Sequence, residues 1–269
     1  MDIQDRVRRE KESYDSDSVV RESAALQARF IHVFRCPNSQ RAEHYLDATL
    51  EKVVKGGDML DYGCFDGWMV DRYVRFGPKS ITGIDISENG IEQAKKNYGH
   101  LAQFYVGDAH HMPFPDNSFD VIAGRGILHH LDFQVALTEI NRTLRPGGKA
   151  IFVEPLIGNP AARIIRRFTP KARTRDEEPL SRKQVRFGDQ LFGGEAHLFF
   201  NLVSVPVAMG TSMTTMDADN ILLRASDAVD LVLAKSFIKY WMRQVVLVWQ
   251  KSSDNEKSSG HPHDLRATA

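Results

Sequence analysis

A glycine-bearing turn, set between a short apolar run and an amphipathic stretch, most strongly limits the folds open to this chain. Residues 59–68 read MLDYGCFDGW, and the residues that follow are amphipathic. Gly63 and Gly67 can adopt positive φ, which lets a ligand approach the backbone where a Cβ atom would clash. A strand, a tight turn and a helix in this order present a helix N-terminus to a nucleotide-like ligand. The dinucleotide-binding pattern G-x-G-x-x-G is excluded, because Phe65 and Trp68 occupy two of its glycine positions.

Two further acidic residues stand near the ends of strand-like apolar runs. Asp85 lies near the end of residues 81–86, and a carboxylate at that position can accept both hydroxyls of a ribose. Ser87 is suited to cap the helix that follows, so Asp85 is not needed for that role. Asp108 comes after the next strand-like run, residues 102–106. We therefore predict three consecutive strands, each followed by a turn that contains a glycine or a polar residue.

These features belong to a series of five segments that resembles class I S-adenosylmethionine (SAM)-dependent methyltransferases, in particular the methyltransferase type 11 group. In chain order the segments are D-x-G-x-x-x-G at 61–67, Asp85, Gly107-Asp108-Ala109, FPDNSFDVI at 114–122 and LRPGGK at 144–149. In the first segment, Phe65 replaces the middle glycine of the family. The resemblance covers about residues 55–155. It implies an α/β, Rossmann-like fold with a seven-stranded, mostly parallel sheet and helices on both faces.

The resemblance also implies S-adenosylmethionine as the cofactor. The residues expected to bind it are Tyr14, Asp61, Gly63, Gly67, Asp85, Ile86, Asp108, Ala109 and Arg125. Asp85 is expected at the ribose, Asp108 at the adenine amino group and Ile86 against the adenine face. Tyr14 is expected to close over the cofactor as part of a lid, and packing within a helix is the alternative role for it.

The chain divides into three parts by composition. Residues 1–50 are charged and helix-like, and they predict a helical N-terminal cap or lid. Residues 51–251 predict the SAM-binding domain, with five parallel strands and four crossover helices up to residue 155. The tail, residues 252–269, is rich in serine, histidine and charge, and it is predicted to be disordered.

Beyond residue 155 the pattern predicts insertions after strands five and six. The first insertion spans about residues 156–195, and from Arg163 to Arg186 it holds nine basic residues against three acidic ones. Such a stretch is either a solvated face or an anion-binding surface. Strand six is predicted at 198–207, a helix at 218–239 and strand seven at 245–250.

Two residues beyond the fourth and fifth strands are candidates for catalysis. His129 follows strand four within the sequence LHH, and an imidazole near neutral pH can serve as a base. The alternative is that it packs under the loop. Glu154 ends strand five and would pair either with the substrate or with an arginine of the insertion. The other histidine pair, His110 and His111, is expected at the surface, and no metal-ligand spacing accompanies either pair, so no metal is predicted.

Composition excludes several classes of protein. Lys plus Arg and Asp plus Glu both number 35, so no positive field indicates nucleic-acid binding. The motif Asn/Asp-Pro-Pro-aromatic of base methyltransferases is also replaced, after strand four, by Ala123-Gly124-Arg125-Gly126. Only two cysteines and no signal-peptide pattern predict a reduced, cytoplasmic setting. The longest apolar stretch, near residues 198–209, is too short and too interrupted to span a bilayer.

The expected function is methyl transfer to a lipophilic small molecule, such as a specialised metabolite. A looser resemblance to terpenoid C-methyltransferases of the teleocidin type favours methylation of a prenyl double bond through a carbocation. O-methylation of a phenol or hydroxyl, with His129 as base, is the alternative. A SAM-binding protein without transfer activity is a further one. The apolar positions of the N-terminal cap need a partner surface, either on their own subunit or on a neighbouring one by exchange of the segment, and we expect a homo-oligomer.

Overall fold

The computed structural model describes residues 3–16, 18–192, 194–214 and 216–253, which are organised around one β-sheet. The strands are β1 (Asp58–Tyr62), β2 (Ser80–Asp85), β3 (Gln103–Val106), β4 (Phe119–Arg125), β5 (Leu144–Pro155), β6 (Gly194–Glu195), β7 (Leu198–Phe200) and β8 (Gln244–Gln250). The α-helices are α1 (Ile3–Asp15), α2 (Ser18–Arg29), α3 (Ile31–Arg35), α4 (Pro37–Val54), α5 (Val70–Val74), α6 (Glu88–Tyr98), α7 (Phe133–Thr143), α8 (Pro160–Phe168), α9 (Arg182–Leu191), α10 (Ser204–Thr211) and α11 (Ile221–Leu233). Short 3-10 turns span Leu128–His130, Pro170–Ala172 and Phe237–Trp241.

The sheet confirms the predicted Rossmann-like class. Its strand order is β3-β2-β1-β4-β5-β8-β6, and β7 also pairs with β8. Strands β1 to β5 are parallel, whereas β8 runs antiparallel to β5. Strands β6 and β7 pair with successive parts of the same edge of β8, so together they fill the seventh strand position.

Alternating strand residues fill a separate core on each face of the sheet. Met59 packs into one buried cluster and its neighbour Leu60 into the other, as the two-residue period of a strand requires. The pair Val121 and Ile122 of β4 divides in the same way. Because helices cover both clusters, the strands are apolar on both faces, as the continuous apolar runs predicted.

The N-terminal cap is helical, as predicted, and it continues to Val54. Helix α4 begins at Pro37, where the sequence pattern showed its break. Phe30 and Val33 pack into a small cluster with Ala208 and Leu223 of the same chain. The apolar face of the cap therefore has an intramolecular partner, and the argument from which a homo-oligomer was predicted no longer requires one.

Three predicted elements differ from those observed. Residues 204–207, predicted as strand, begin helix α10, because the buried carboxylate of Asp230 accepts the backbone N–H groups of Leu202, Val203 and Ser204 at 2.7–3.1 Å and caps the helix. The helix predicted at 218–239 is shorter, since Asn220 caps α11 at its start. Only three helices, not four, connect β1 to β5. The β3–β4 connection, which contains Pro113 and Pro115, is a loop.

No helix among the described residues is long and apolar enough to cross a membrane. The predicted disordered tail lies outside the described residues from position 254 onward.

Candidate active site

A cavity of about 490 Å³ opens at the carboxyl ends of the parallel strands. Its floor is formed by the turns after β1, β2, β3 and β4, and helices α1 and α2 cover it. Ligands of open α/β sheets bind at this edge, where the strand order reverses. The order β2-β1-β4 places that reversal beside β1.

Seven of the nine residues predicted to bind the cofactor line this cavity. They are Tyr14, Gly63, Asp85, Ile86, Asp108, Ala109 and Arg125. The predicted base His129 lines it as well. Asp61, Gly67 and Glu154 are not among its lining residues, although all three lie in the surrounding elements.

The turn after β1 brings bare backbone to the cavity. Gly63 has φ +78°, and a Cβ atom there would lie 2.6 Å from Cγ1 of Ile127, so only glycine fits. Phe65, which replaces the middle glycine of the family motif, still adopts positive φ, at 45°. Its N–H donates to the Asp85 carboxylate at 3.0 Å, which compensates for the strained backbone.

Gly67 and Asp61 shape the turn from outside the cavity. Gly67 has φ +80°, and a Cβ atom there would lie 2.9 Å from the ring of Tyr98, so this glycine allows α6 to pack closely. Asp61 accepts a hydrogen bond from the hydroxyl of Tyr73 at 3.3 Å, and its other carboxylate oxygen has no hydrogen-bond partner among the described residues. Burial raises the pKa of Asp61 to about 7, and the nearby Asp85 adds to the shift.

The carboxylates of Asp85 and Asp108 both line the cavity, and their pKa values shift in opposite directions. Burial raises the pKa of Asp85, although the backbone N–H groups of Ser87 and Phe65 donate to its carboxylate and oppose the shift. Burial also acts on Asp108, but hydrogen bonds from the side chain and backbone of His110 outweigh it and lower the Asp108 pKa. Asp108 is thus held as a charged acceptor.

His110 is not the surface residue that the sequence predicted. Its side chain is buried, with Nδ1 2.7 Å from Asp108 Oδ1, while Nε2 accepts the N–H of Asp132 at 2.8 Å. The imidazole therefore connects the turn after β3 to the start of α7. Its neighbour His111 was not distinguishable from it in the sequence.

Arg125 reaches the cavity from the end of β4 but is already paired. Its guanidinium contacts both carboxylate oxygens of Glu43, with Nη1 at 3.0 Å from Oε2. Arg72 pairs with the same carboxylate at 2.7 Å. These charges tie helix α4 to the sheet, so Arg125 has a structural role whatever ligand it contacts.

His129 and Glu154 form a hydrogen-bonded pair beside the cavity. Nδ1 of His129 lies 2.8 Å from Oε2 of Glu154, and the other carboxylate oxygen accepts the N–H groups of Ile127 and Leu128 at 3.0 and 2.9 Å. Glu154 therefore pairs with the histidine and not, as one interpretation of the sequence had it, with an arginine of the insertion. A carboxylate on Nδ1 fixes the ring orientation and leaves Nε2 as the only ring nitrogen free to act as a base.

A buried polar network fastens helix α1 across the cavity. The Tyr14 hydroxyl lies 3.1 Å from Nε2 of His130, and Glu10 Oε2 lies 3.1 Å from its Nδ1. Thr174 donates to the other Glu10 oxygen at 2.7 Å. Burial and the neighbouring His129 lower the pKa of His130, although the carboxylates of Glu10 and Glu177 oppose the shift. Arg6 adds a bond of 2.8 Å to the His130 carbonyl oxygen.

His129, His130 and Glu177 lie close enough together to hold a metal ion, each offering an atom within 4.8 Å of the others. The donor atoms of His130 and Glu177 already have protein partners, however. Both ring nitrogens of His130 contact side chains, and Arg166 pairs with Glu177 at 2.8 Å. A metal would have to displace these contacts, and none is needed to explain the arrangement.

Several residues that the sequence did not single out also line the cavity. Glu10, Phe65, Trp68 and Glu177 lie within it, as do apolar residues of α2 such as Ala24. Nothing in the sequence distinguishes Glu10 from Glu12 on the same polar helix. Phe65 was noted only as a departure from a glycine pattern, and that departure is the signal that could have identified it as a cavity residue.

A methyltransferase family model matches the part of the chain that forms the cavity floor. Residues 60–152 match the family model described as "Methyltransferase domain", and these residues run from β1 into β5. This confirms the resemblance to class I SAM-dependent methyltransferases for the part of the chain that forms the cavity floor, and it agrees with SAM as the predicted cofactor.

Sequence relatives of known function match part of the chain. Demethylmenaquinone methyltransferase of Staphylococcus aureus is 40% identical over 107 residues, which are 38% of this chain and 44% of the relative. The chain thus spans less than half of the length of the relatives it matches.

Solved structures extend the likeness of fold. A chain of the complex between the Haloferax volcanii Trm112 methyltransferase activator and a methyltransferase has a TM-score of 0.60 at 17% identity, covering 89% of this chain and 97% of its own. Geranyl diphosphate methyltransferase in complex with GPP and sinefungin has a TM-score of 0.53 at 15% identity, covering 80% of both chains. These similarities confirm the methyltransferase fold of the chain.

Proposed function

We propose that this chain is a SAM-dependent methyltransferase acting on a lipophilic small molecule. The observation that carries the proposal is the cavity itself, in which a glycine turn and two acidic strand ends meet under a helical cover. The cavity volume lies within the range of small-molecule sites. The methyltransferase domain match supports the same activity.

The residues present suit the cofactor. Gly63 lines the cavity with bare backbone, and its missing Cβ leaves the room that the side chain of Ile127 occupies. In this proposal Asp85 accepts the ribose hydroxyls, Ile86 packs on the adenine and Asp108 accepts from the adenine amino group. When bound, SAM supplies a sulfonium-activated methyl group, so that the protein contributes mainly proximity, orientation and the exclusion of water.

An apolar groove next to the cavity supports a lipophilic acceptor. It has a volume of about 210 Å³, and its walls include Leu26, Phe30, Ile165 and Met209. The groove shares Ala172 and Glu177 with the cofactor cavity, so the two spaces adjoin. Demethylmenaquinone and geranyl diphosphate, named in the relatives above, both carry prenyl chains, and a prenyl chain would fit such walls.

Methylation of a prenyl double bond is the reaction we favour. One alkene carbon would bond to the methyl carbon as the bond from that methyl carbon to the sulfonium sulfur breaks and leaves a neutral thioether. The other alkene carbon would become cationic, and a base would then remove a proton. The cavity contains groups that stabilise a cation: the rings of Phe65 and Trp68 and the carboxylate of Glu177. The nucleophile is a neutral double bond, so no base is needed at the methyl-transfer step itself.

O-methylation is the second candidate, and the His129–Glu154 pair favours it. With Nδ1 held by the carboxylate, Nε2 of His129 could remove the proton of a phenol or hydroxyl while the methyl group is transferred. In this reaction the pair acts during methyl transfer, whereas in alkene methylation it would act only afterwards.

Deuterated SAM and a panel of acceptors test both reactions. The enzyme would be incubated with prenyl diphosphates, prenylated quinones, phenols and short water-soluble amines, and the products would be analysed by mass spectrometry and NMR. We expect a labelled methyl group on carbon of a prenyl-bearing acceptor. Turnover of amines alone would refute the lipophilic acceptor, and a methyl ether as the only product would establish O-methylation.

His129→Ala and Glu154→Gln separate the two reactions kinetically. O-methylation predicts that His129→Ala lowers the methyl-transfer rate about 10²–10⁴-fold in single-turnover experiments. Alkene methylation predicts a much smaller effect on that step. His111→Ala, outside the cavity lining, is the matched control.

A further inference from the structure

Helix α8 presents an unusual outer face. None of its nine residues is buried, and the side chains of Ile164 and Phe168 are 61% and 76% exposed. They lie four residues apart, so they project from the same side of the helix. Exposure of two large apolar side chains on one short helix costs solubility and indicates a surface that binds something.

Basic residues flank these apolar side chains. Arg163, Arg167 and Lys171 are all exposed, and none has an acidic partner among the described residues. Residues 160–172 contain four basic residues and no acidic one, although the whole chain has 35 of each. A local positive surface therefore stands on a chain without net charge.

The helix is held rigidly in this position from its inner side. Asn159 caps it through the N–H of Ala162 at 2.8 Å and also donates to the carbonyl oxygen of Asn201 at 3.2 Å. Arg166 faces inward to Glu177, and Ile165 lines the apolar groove. The outward residues are therefore presented by a fixed scaffold.

A neighbouring segment adds further exposed apolar area. Gly158, just before the helix, packs so closely on the Phe237–Trp241 turn that a Cβ atom would lie 2.2 Å from the carbonyl oxygen of Tyr240. In that turn the side chains of Phe237 and Trp241 are 86% and 55% exposed. Tryptophan beside basic residues is typical of surfaces that lie at the level of lipid headgroups.

We propose that the outer face of α8 docks this protein on an anionic lipid surface. Ile164 and Phe168 would enter the boundary between headgroups and acyl chains, while Arg163, Arg167 and Lys171 would contact the lipid phosphates. The charge pattern selects this occupant. A second copy of the chain, packed symmetrically, would bring like charges together, and nucleic acid would leave the apolar side chains exposed to water.

Docking in this orientation also affects how the acceptor reaches the cavity, a point that rests on the proposed function. The inner side of the same helix forms one wall of the apolar groove, so a membrane-dissolved acceptor would have a short path from the lipid to the cofactor cavity. Lipid binding itself does not depend on methyl transfer.

Sedimentation with phospholipid vesicles tests the proposal. The full chain should bind vesicles of phosphatidylcholine with half phosphatidylglycerol, and should bind pure phosphatidylcholine at least tenfold more weakly. Ile164→Ser with Phe168→Ser should reduce the partition coefficient at least tenfold. Arg163→Gln with Arg167→Gln should reduce it about ten- to thirtyfold at low salt, the scale of two cations at an anionic surface.

The control is Leu101→Ser with Tyr105→Ser, two exposed side chains near β3 at the opposite edge of the sheet, which should bind like the unchanged protein. Circular dichroism and SAM affinity of all variants should be unchanged. Three results would overturn the proposal: no vesicle binding by the unchanged chain, equal binding by the α8 and control variants, or a dimer that the α8 substitutions dissociate. None of these would bear on methyl transfer to a water-soluble acceptor, so the two proposals can fail separately.

Discussion

Asp85 is the single residue on which the proposed cofactor site depends most. It is the acidic end of β2, and it supports the turn after β1 through the N–H of Phe65. We expect Asp85→Ala to weaken SAM affinity by about 1.5–3 kcal/mol, the scale of charge-assisted hydrogen bonds. Calorimetric titration measures this directly. Asp66→Ala, in the same loop but outside the cavity lining, is the control. An unchanged dissociation constant with normal circular dichroism would remove Asp85 from the site.

Asp61, in the same turn, makes the free energy of unfolding depend on pH. Its pKa in the folded chain is about 7, against an ordinary value of 3.8. Between pH 3.8 and about 7, the folded protein therefore holds a proton on Asp61 that the unfolded chain has lost. The stabilisation that this proton gives is complete below pH 3.8 and falls as the pH rises toward 7. We expect Asp61→Asn to remove this component, whose slope approaches 1.4 kcal/mol per pH unit.

Urea unfolding between pH 4.5 and 8 measures the effect. The free energy of unfolding of the unchanged chain should decline with pH relative to that of Asp61→Asn. Glu51→Gln, an exposed substitution on α4, should follow the unchanged chain. Parallel curves for all three proteins would show that Asp61 is charged throughout this range and that its burial is less complete than described.

At the scale of elements, helix α1 joins parts of the chain that are far apart in sequence. Arg6 reaches the His130 carbonyl oxygen, Arg9 pairs with Asp176 of the insertion, and Asp15 accepts from Ser87 at the start of α6. A helix of this length and polarity is not stable alone in water. These contacts therefore hold it in place, and we propose that it is the lid of the cofactor site.

Deleting residues 1–18 tests the lid. Because the helix covers the cavity and supplies Tyr14, we expect SAM affinity to fall at least tenfold and turnover to fall with it. Arg6→Gln should have part of this effect. Arg8→Gln, on the exposed side of the same helix, should have none. If the truncated chain has the same SAM affinity and turnover as the full chain, the segment is a solvated tail and not a lid.

The elements predicted correctly are those whose signals are local. The turn of residues 61–67 depends on the positive φ that Gly63 allows. The cap of α6 depends on the hydroxyl of Ser87, which accepts the N–H of Gly90 three residues later. Residues 204–207 were predicted as strand because they are apolar, and they are helical because Asp230 caps them from α11. That contact joins residues 26 apart, so no short window of sequence contains it.

The residues of the candidate site also divide into those that the sequence could place and those that it could not. The strand-end residues could be placed from the order of motifs, since parallel strands bring their carboxyl ends together. The pairing of His129 with Glu154, and the network of Glu10, Tyr14 and His130, could not be. The pair depends on how the turn after β4 folds against the end of β5, and the network depends on how α1 crosses the sheet. Neither periodicity nor composition contains that information.

At the scale of the whole molecule, the N-terminal helices pack on their own subunit. Helices of the same chain therefore cover the cavity, and a homo-oligomer stays a prediction that sedimentation velocity can test. Every functional proposal above depends on the binding of SAM in the cavity beneath α1.

Calorimetric titration of the full chain with SAM tests that claim most directly. We predict one saturable site per chain with a dissociation constant on the order of 1–100 μM, the lower part of the usual range of enzyme–substrate affinities. Absence of saturable heat up to millimolar SAM, with a folded protein by circular dichroism, would contradict the account.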